Sequence, residues 1–307
     1  MTIVDLSVLL SDLEDNVKTE LESGPEVVDK GDNLDVDGLP VAVRRWHKLN
    51  DAVAVVADLK NSTKLGTGKR ASSTASIYEA STGGVVKVFD KFEADFVAIQ
   101  GDGAFALFWG EARYERGVCA GITVKTFSGD MVERLEKKWD NLPETGFKVG
   151  IASSRLLAKR VGTPRNPAQQ EPVWAGKAVN YAAKAAQGAN RGELVVTGSV
   201  WDVIERNDFL SISCPCGDGP GPSIWADTEI GRLPDGDPEA QGRVLSACWC
   251  TVHGADYCAA VLEGRTKRDD AQSVRATVQK SQMLEAVRAK ARIQRESVAA
   301  RRRGLAS

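Results

Sequence analysis

The chain has 307 residues, 42% of them hydrophobic and 27% charged, with a formal net charge of -2. That is enough apolar material for one large domain and a smaller one. It excludes a membrane-spanning helix, since no apolar run nears about 20 residues, and the N-terminus lacks the basic stretch and apolar core of an export signal, so a cytoplasmic protein is expected.

Val4, Leu6, Leu9, Leu10, Leu13, Val17 and Leu21 recur at helical spacing, so residues 4–22 read as a helix ended by Ser23-Gly24-Pro25, with an acidic linker to about residue 40. A globular domain is expected over 41–212. It opens with a strand over 52–59, a helix over about 74–93 and a hairpin of 95–100 and 104–109 turning at Gly101-Asp102-Gly103. A second helix over 112–138 precedes a strand over 147–152, where Phe147, Val149 and Ile151 alternate. A helix over 177–187, a strand over 193–197 and a short helix over 199–206 complete a mixed sheet domain. Beyond Ser213 the texture turns to Gly, Pro, Asp and Cys without periodicity, which predicts a small module over 213–264 held by something other than a core. Helical spacing returns over 268–302, within a basic tail (265–307) that carries 12 Lys or Arg against 4 Asp or Glu and leaves -10 on the rest of the chain.

Two aspartates carry the chemistry. Asp58 ends the apolar run Ala52-Val53-Ala54-Val55-Val56-Ala57, and Asp102 lies in the turn Gln100-Gly101-Asp102-Gly103, so a buried strand delivers each carboxylate to a sheet edge. Paired hard oxygens on a rigid sheet suit two Mg2+ or Mn2+ ions about 3.5 to 4 Å apart, the arrangement that moves phosphoryl groups.

Val56-Ala57-Asp58-Leu59-Lys60-Asn61-Ser62-Thr63, Gln100-Gly101-Asp102-Gly103 and Trp174-Ala175-Gly176-Lys177-Ala178-Val179-Asn180-Tyr181-Ala182-Ala183-Lys184 together resemble the signatures of class III nucleotide cyclases, over roughly residues 45–210. The resemblance implies an α+β, ferredoxin-like βαββαβ core working as a head-to-tail homodimer with shared active sites on a nucleoside triphosphate. It implies that Asp58, Asp102 and the Leu59 carbonyl bind two divalent cations. The loop Lys60, Asn61, Ser62 and Thr63 offers backbone N–H groups to phosphates at a helix start. From the partner subunit would come an asparagine at position 180 that orients the ribose, and Lys184 in the family's transition-state arginine position, one helical turn on. Lysine keeps the charge but loses the bidentate fork. Lys148 matches a phosphate-contacting position more loosely.

Purine-specific members of that family read the base with two polar side chains, and those positions map to Ala98 and Val173. Neither can pair with a base edge, and an unpaired group costs about 1 to 3 kcal/mol. The pattern resembles the bacterial pyrimidine (uridylate) cyclases of Pycsar anti-phage defence. That likeness implies UTP as substrate, cyclic UMP as product and a separate effector protein as receiver. Trp174 and Phe96 either fill the space of a purine or belong to the core. Two rivals stay open: the same chemistry on CTP or ATP, and a cyclase-like nucleotide sensor without turnover, supported by the lysine at 184.

Five of the six cysteines lie between 214 and 258. Cys214-Pro215-Cys216, Cys248-Trp249-Cys250-Thr251-Val252-His253 and Cys258 offer six candidate ligands, of which four suffice for a tetrahedral zinc site; buried apolar thiols are the alternative. Cys119, in an apolar helix, reads as core. The run from Trp249 to Cys258 also resembles the C-terminal sensor module of defence-associated cyclases. The basic tail reads as a solvated face, with nucleic acid or a neighbour's acidic N-terminal segment as alternative partners.

Overall fold

The computed structural model describes residues 4–163, 165–216, 220–221 and 223–277, with the single positions 280, 283 and 290. Helix α1 (Leu6–Glu22) is opened by the Asp5 carboxylate, which accepts from the N–H groups of Ser7 and Val8, and leads to strand β1 (Glu26–Asp29). There follow β2 (Arg45–Leu59), the one-turn helix α2 (Ser62–Leu65), α3 (Ala71–Lys91), the hairpin β3 (Phe96–Gln100) and β4 (Gly103–Phe108), and α4 (Arg113–Lys138). The second half runs β5 (Phe147–Gly162), β6 (Gln170–Gly176), α5 (Lys177–Gly188), β7 (Leu194–Val196), α6 (Gly198–Ile204), α7 (Asp208–Ser211), β8 (Trp225–Glu229), β9 (Gln241–Leu245) and α8 (Gly254–Leu262).

The strands form one sheet in the order β3-β4-β2-β5-β7-β9-β8, with β1 beside β2 and β6 beside β5. Elements β2-α3-β3-β4-α4-β5 make the expected ferredoxin-like βαββαβ unit, because each crossover skips one position and all neighbouring pairs within it are antiparallel. Strand periodicity sorts the core into two layers. Val53, Val55, Ala57 and Leu59 pack with α3 and α4 through Ile77, Phe89, Val118 and Ile122. Ala52 and Ala54 face the other way, onto Ala178, Ala182 and Ala185 of α5. Helix α5 lies so close to β5 that a Cβ on Gly150 would stand 2.0 Å from the Ala182 carbonyl oxygen.

Several elements exceed their sequence signals. Strand β2 starts seven residues before the expected 52 because a bulge between Leu49 and Ala52 absorbs the turn-like pair Asn50-Asp51. Arg113 and the Tyr114 hydroxyl, both 2.9 Å from Asp51, hold that carboxylate in place. Strand β5 continues into a hairpin arm with β6, and the acidic linker supplies β1, parallel to β2.

The larger correction concerns residues 213–264, predicted to hold together without a core. Strands β9 and β8 instead extend the sheet past β7, and Trp225, Leu245, Ala260 and Val261 enter the same core as α3 and α4. The three-residue β7 would otherwise leave an open edge, and pairing with β9 covers it. Past α8, buried Arg268 anchors the chain by donating to the carbonyls of Asp208 (3.3 Å), Ile212 (2.9 Å) and Ser213 (3.0 Å). Of the expected helix over 268–302, residues 272–277 are helical, and most of the remainder lies outside the described residues. No described helix is long and apolar enough to cross a membrane.

Candidate active site

Asp58 is the penultimate residue of β2, and by alternation its side chain falls on the α5 side of the sheet with Ala52 and Ala54. Lys148 stands opposite it on β5, with Nζ 2.5 Å from Asp58 Oδ2. On the other flank Ala57 pairs with Ala104, which brings Gly103 level with Asp58. A Cβ on Gly103 would lie 2.5 Å from the Ala57 carbonyl oxygen and 3.5 Å from Asp58 Cα. Only a bare backbone lets β4 start against β2 there, and this close start sets Asp102 beside the end of β2. Gly101, at φ +65°, supplies the left-handed residue of the turn, and the Thr82 hydroxyl on α3 donates to the Asp102 carbonyl at 3.2 Å. Carboxylates from two adjacent strand ends, one of them 37% exposed, suit a hard divalent cation.

Leu59 ends β2 with its side chain in the core and its backbone paired to Phe147. The loop after it is pinned to residues 144–146. The Lys60 N–H donates to the Gly146 carbonyl (3.1 Å), its ammonium to Glu144 (2.9 Å), and the Asn61 amide to the Glu144 carbonyl (2.8 Å). The Thr145 hydroxyl closes the loop onto the Lys60 carbonyl at 2.9 Å. The hydrogen bond from Lys60 holds the Glu144 carboxyl below its ordinary range. Asn61 adopts φ 58°, after which Ser62 and Thr63 start α2. Thus Lys60 and Asn61 spend their side chains on fixing the loop.

The α5 side of the sheet also carries an aromatic group. Phe96 lies 4.9 Å from Trp174 and 5.9 Å from Phe105, and Trp109 lies 5.7 Å from Trp174. Both Phe96 and Trp174 pack against the second core, as does Ala98 on β3. Val173 alternates with Trp174 along β6 and is 41% exposed, so it stands apart from that group. The buried indole Nε1 of Trp174 has no hydrogen-bond partner among the described residues.

Asn180 and Lys184 occupy successive turns of α5, above the stretch of β5 from Gly150 to Ser154. Both turn onto their own helix: the Asn180 amide donates to the Gly176 carbonyl at 3.4 Å, and Lys184 sits 5.7 Å over the Tyr181 ring. Sequence reasoning missed the residue that steadies this helix. Asp237 accepts from Tyr181 (2.6 Å) and Lys177 (3.0 Å), and these bonds hold its carboxyl down to about 2. Nothing local signals a partner 56 positions away.

Four of the six candidate zinc ligands converge, with the donor atoms of Cys214, Cys216, Cys250 and His253 all within 4.8 Å of one another. Backbone N–H groups of His253 and Val252 donate to the Cys250 sulfur and hold its thiol down to about 6. Cys248 and Cys258 stand outside the group. Cys248 Sγ accepts from the buried Lys125 ammonium at 3.4 Å, and Cys258 shares a thiol hydrogen bond with buried Cys119.

No protein-family model matches the sequence. A uridylate cyclase of Micromonospora echinofusca is 60% identical over 306 residues, 99% of this chain and 100% of that protein. A uridylate cyclase of Propioniciclava tarda is 48% identical over 288 residues, 93% of each. Solved structures are more remote. The guanylyl cyclase Cya2 covers 64% of this chain and 90% of its own at 13% identity and TM-score 0.48; the adenylyl cyclase CyaB of P. aeruginosa covers 57% and 92% at 15% and 0.45.

Proposed function

The chain belongs to the uridylate cyclase family, and on that premise we propose that it converts UTP into 3',5'-cyclic UMP and pyrophosphate. One observation carries the reading: identity to a uridylate cyclase of 60%, sustained over 99% of the chain.

Asp58, Asp102 and the Leu59 carbonyl would hold two divalent cations, Mn2+ or Mg2+, which when bound lower the pKa of the ribose 3'-hydroxyl and neutralise the triphosphate. The donor set supports this assignment, being hard oxygens at two strand ends that the bare backbone of Gly103 brings close. Lys148 keeps an ammonium 2.5 Å from Asp58, where it can pass to a phosphate oxygen as the carboxylate turns to a cation. The loop, pinned through Glu144 and Thr145, would present the backbone N–H groups of Asn61, Ser62 and Thr63 to the phosphates; that of Lys60, expected to join them, is taken by the Gly146 carbonyl.

Asn180 would orient the ribose and Lys184 would meet the negative charge that develops on the α-phosphate, both supplied by a second copy of the chain. Base selection follows from what is missing. Ala98 and Val173 carry no hydrogen-bonding side-chain group, and the contact of Phe96 with Trp174 fills space beside Ala98, which favours a small base over a purine. By its resemblance to the Pycsar cyclases, the product would signal to a separate effector during phage infection.

The test is incubation of the purified chain with each nucleoside triphosphate and Mn2+, with products resolved by chromatography. Cyclic UMP is expected to dominate. A dominant cyclic AMP peak would overturn the base assignment, and no cyclic product from any nucleotide would overturn the activity.

A further inference from the structure

We infer that Cys214, Cys216, Cys250 and His253 form a closed tetrahedral zinc site that fastens the C-terminal half of the sheet to the chain that follows it. Donors bound to zinc at about 2.3 Å for sulfur and 2.0 to 2.1 Å for nitrogen stand about 3.5 to 3.8 Å apart along tetrahedral edges. Cys250 Sγ is 3.8 Å from Cys216 Sγ and 3.8 Å from His253 Nδ1, and Cys216 Sγ is 3.3 Å from the same nitrogen. Two of these separations match tetrahedral edges, the third is about 0.2 Å short of one, and Cys214 Sγ lies within 4.8 Å of the other three donors.

Burial argues against plain core thiols. Cys216 is exposed and Cys214 and Cys250 are half-exposed, whereas Cys119, a core thiol, is fully buried. Three soft sulfurs and an imidazole disfavour Mg2+, Ca2+ and Mn2+, and a closed set of three cysteines and one histidine is one that structural zinc takes. Four protein donors leave no open position, so the site is structural and separate from the phosphoryl chemistry at Asp58 and Asp102.

The surroundings indicate what the ion would hold. Cys216 and Cys250 are 34 positions apart, and the excursion between them carries β8 and β9. Its returning limb is fixed to α4, where Trp249 donates through its N–H to Thr126 and through its indole to Thr123, each at 3.0 Å, and Lys125 donates to the Ser246 carbonyl at 2.7 Å. On the other side the His253 ring stacks on Tyr257 at 5.6 Å, and Arg268 lies 4.4 Å over Tyr257 while donating to the carbonyls of Asp208 and Ile212 at the two ends of α7. The ion would close this ring of contacts.

The full chain, purified without chelator, is assayed for metal by plasma mass spectrometry, and cobalt is then exchanged in. One zinc per chain is expected, with a thiolate-to-cobalt charge-transfer band after exchange. Cys216→Ser/Cys250→Ser is expected to lose the zinc, and Asp58→Ala/Asp102→Ala to keep it. A metal-free wild-type chain, a Cys216–Cys250 disulfide in its place, or zinc lost with the aspartates instead would each overturn the inference. Because the wild-type metal count stands alone, misfolding of the cysteine variant does not obscure the result, and failure of UTP turnover leaves the count unaffected.

Discussion

Replacing Gly103 with alanine tests the placement of the two aspartates without touching either. The new methyl would start 2.5 Å from the Ala57 carbonyl oxygen, against an ordinary contact of about 3.4 Å, so β4 must draw away from β2 by about 0.9 Å. The carbonyl is backbone and a Cβ is fixed by the backbone that carries it, so no side-chain rotation relieves the clash. Overpacking of this kind costs about 1 to 3 kcal/mol, or about 3 to 9 °C in Tm at about 3 °C per kcal/mol for a domain of this size. The same displacement separates Asp102 from Asp58, and a misplacement near 1 Å in a catalytic constellation costs about 100-fold. We therefore expect kcat/KM for cyclic UMP formation with Mn2+ to fall about 30- to 100-fold, in a protein still folded at 25 °C by circular dichroism. Gly129→Ala is the control: it lies exposed in the middle of α4 with nothing within 4 Å of the added carbon, and should gain about 1 kcal/mol with unchanged activity. A Gly103→Ala enzyme within twofold of wild type would refute the claim that the close strand start sets the carboxylates.

Two further outcomes are expected. If the active site is shared between copies, mixing Asp58→Ala with Asn180→Ala/Lys184→Ala, each inactive alone, should restore about a quarter of wild-type activity after subunit exchange; no recovery, with mixed dimers demonstrated by native mass spectrometry, would mean that each chain supplies its whole site. Asp237, held at about 2 against about 3.9 when unfolded, contributes stability above pH 4 that is lost as pH falls toward 2. The Tm gap between wild type and Asp237→Asn should therefore be widest at neutral pH and close below pH 4, and a gap constant from pH 7 to 2 would remove the role assigned to this carboxylate.

The sequence by itself determined the order of the elements β2-α3-β3-β4-α4-β5, through the unbroken apolar run of β2, the alternation in β5 and the glycines that make the turn around Asp102; that they form a βαββαβ unit was implied by the resemblance to class III cyclases. It also singled out Asp58 and Asp102 as cation candidates, since an aspartate that closes an apolar run marks a strand end. Tertiary structure alone decided the rest. A bulge at Asn50-Asp51, stabilised by Arg113 and Tyr114 from α4, turned a local break signal into continuous strand. The five-residue strands β8 and β9 exist because β7 offers them an edge, a dependence that no local window contains. The choice of four ligands among six was likewise a matter of position: Lys125 takes Cys248 and Cys119 takes Cys258, leaving Cys214, Cys216, Cys250 and His253 to face one another. Short-range pattern fixes what a segment can become, and partners distant in the chain select among those states, because only they provide the surface that each segment buries.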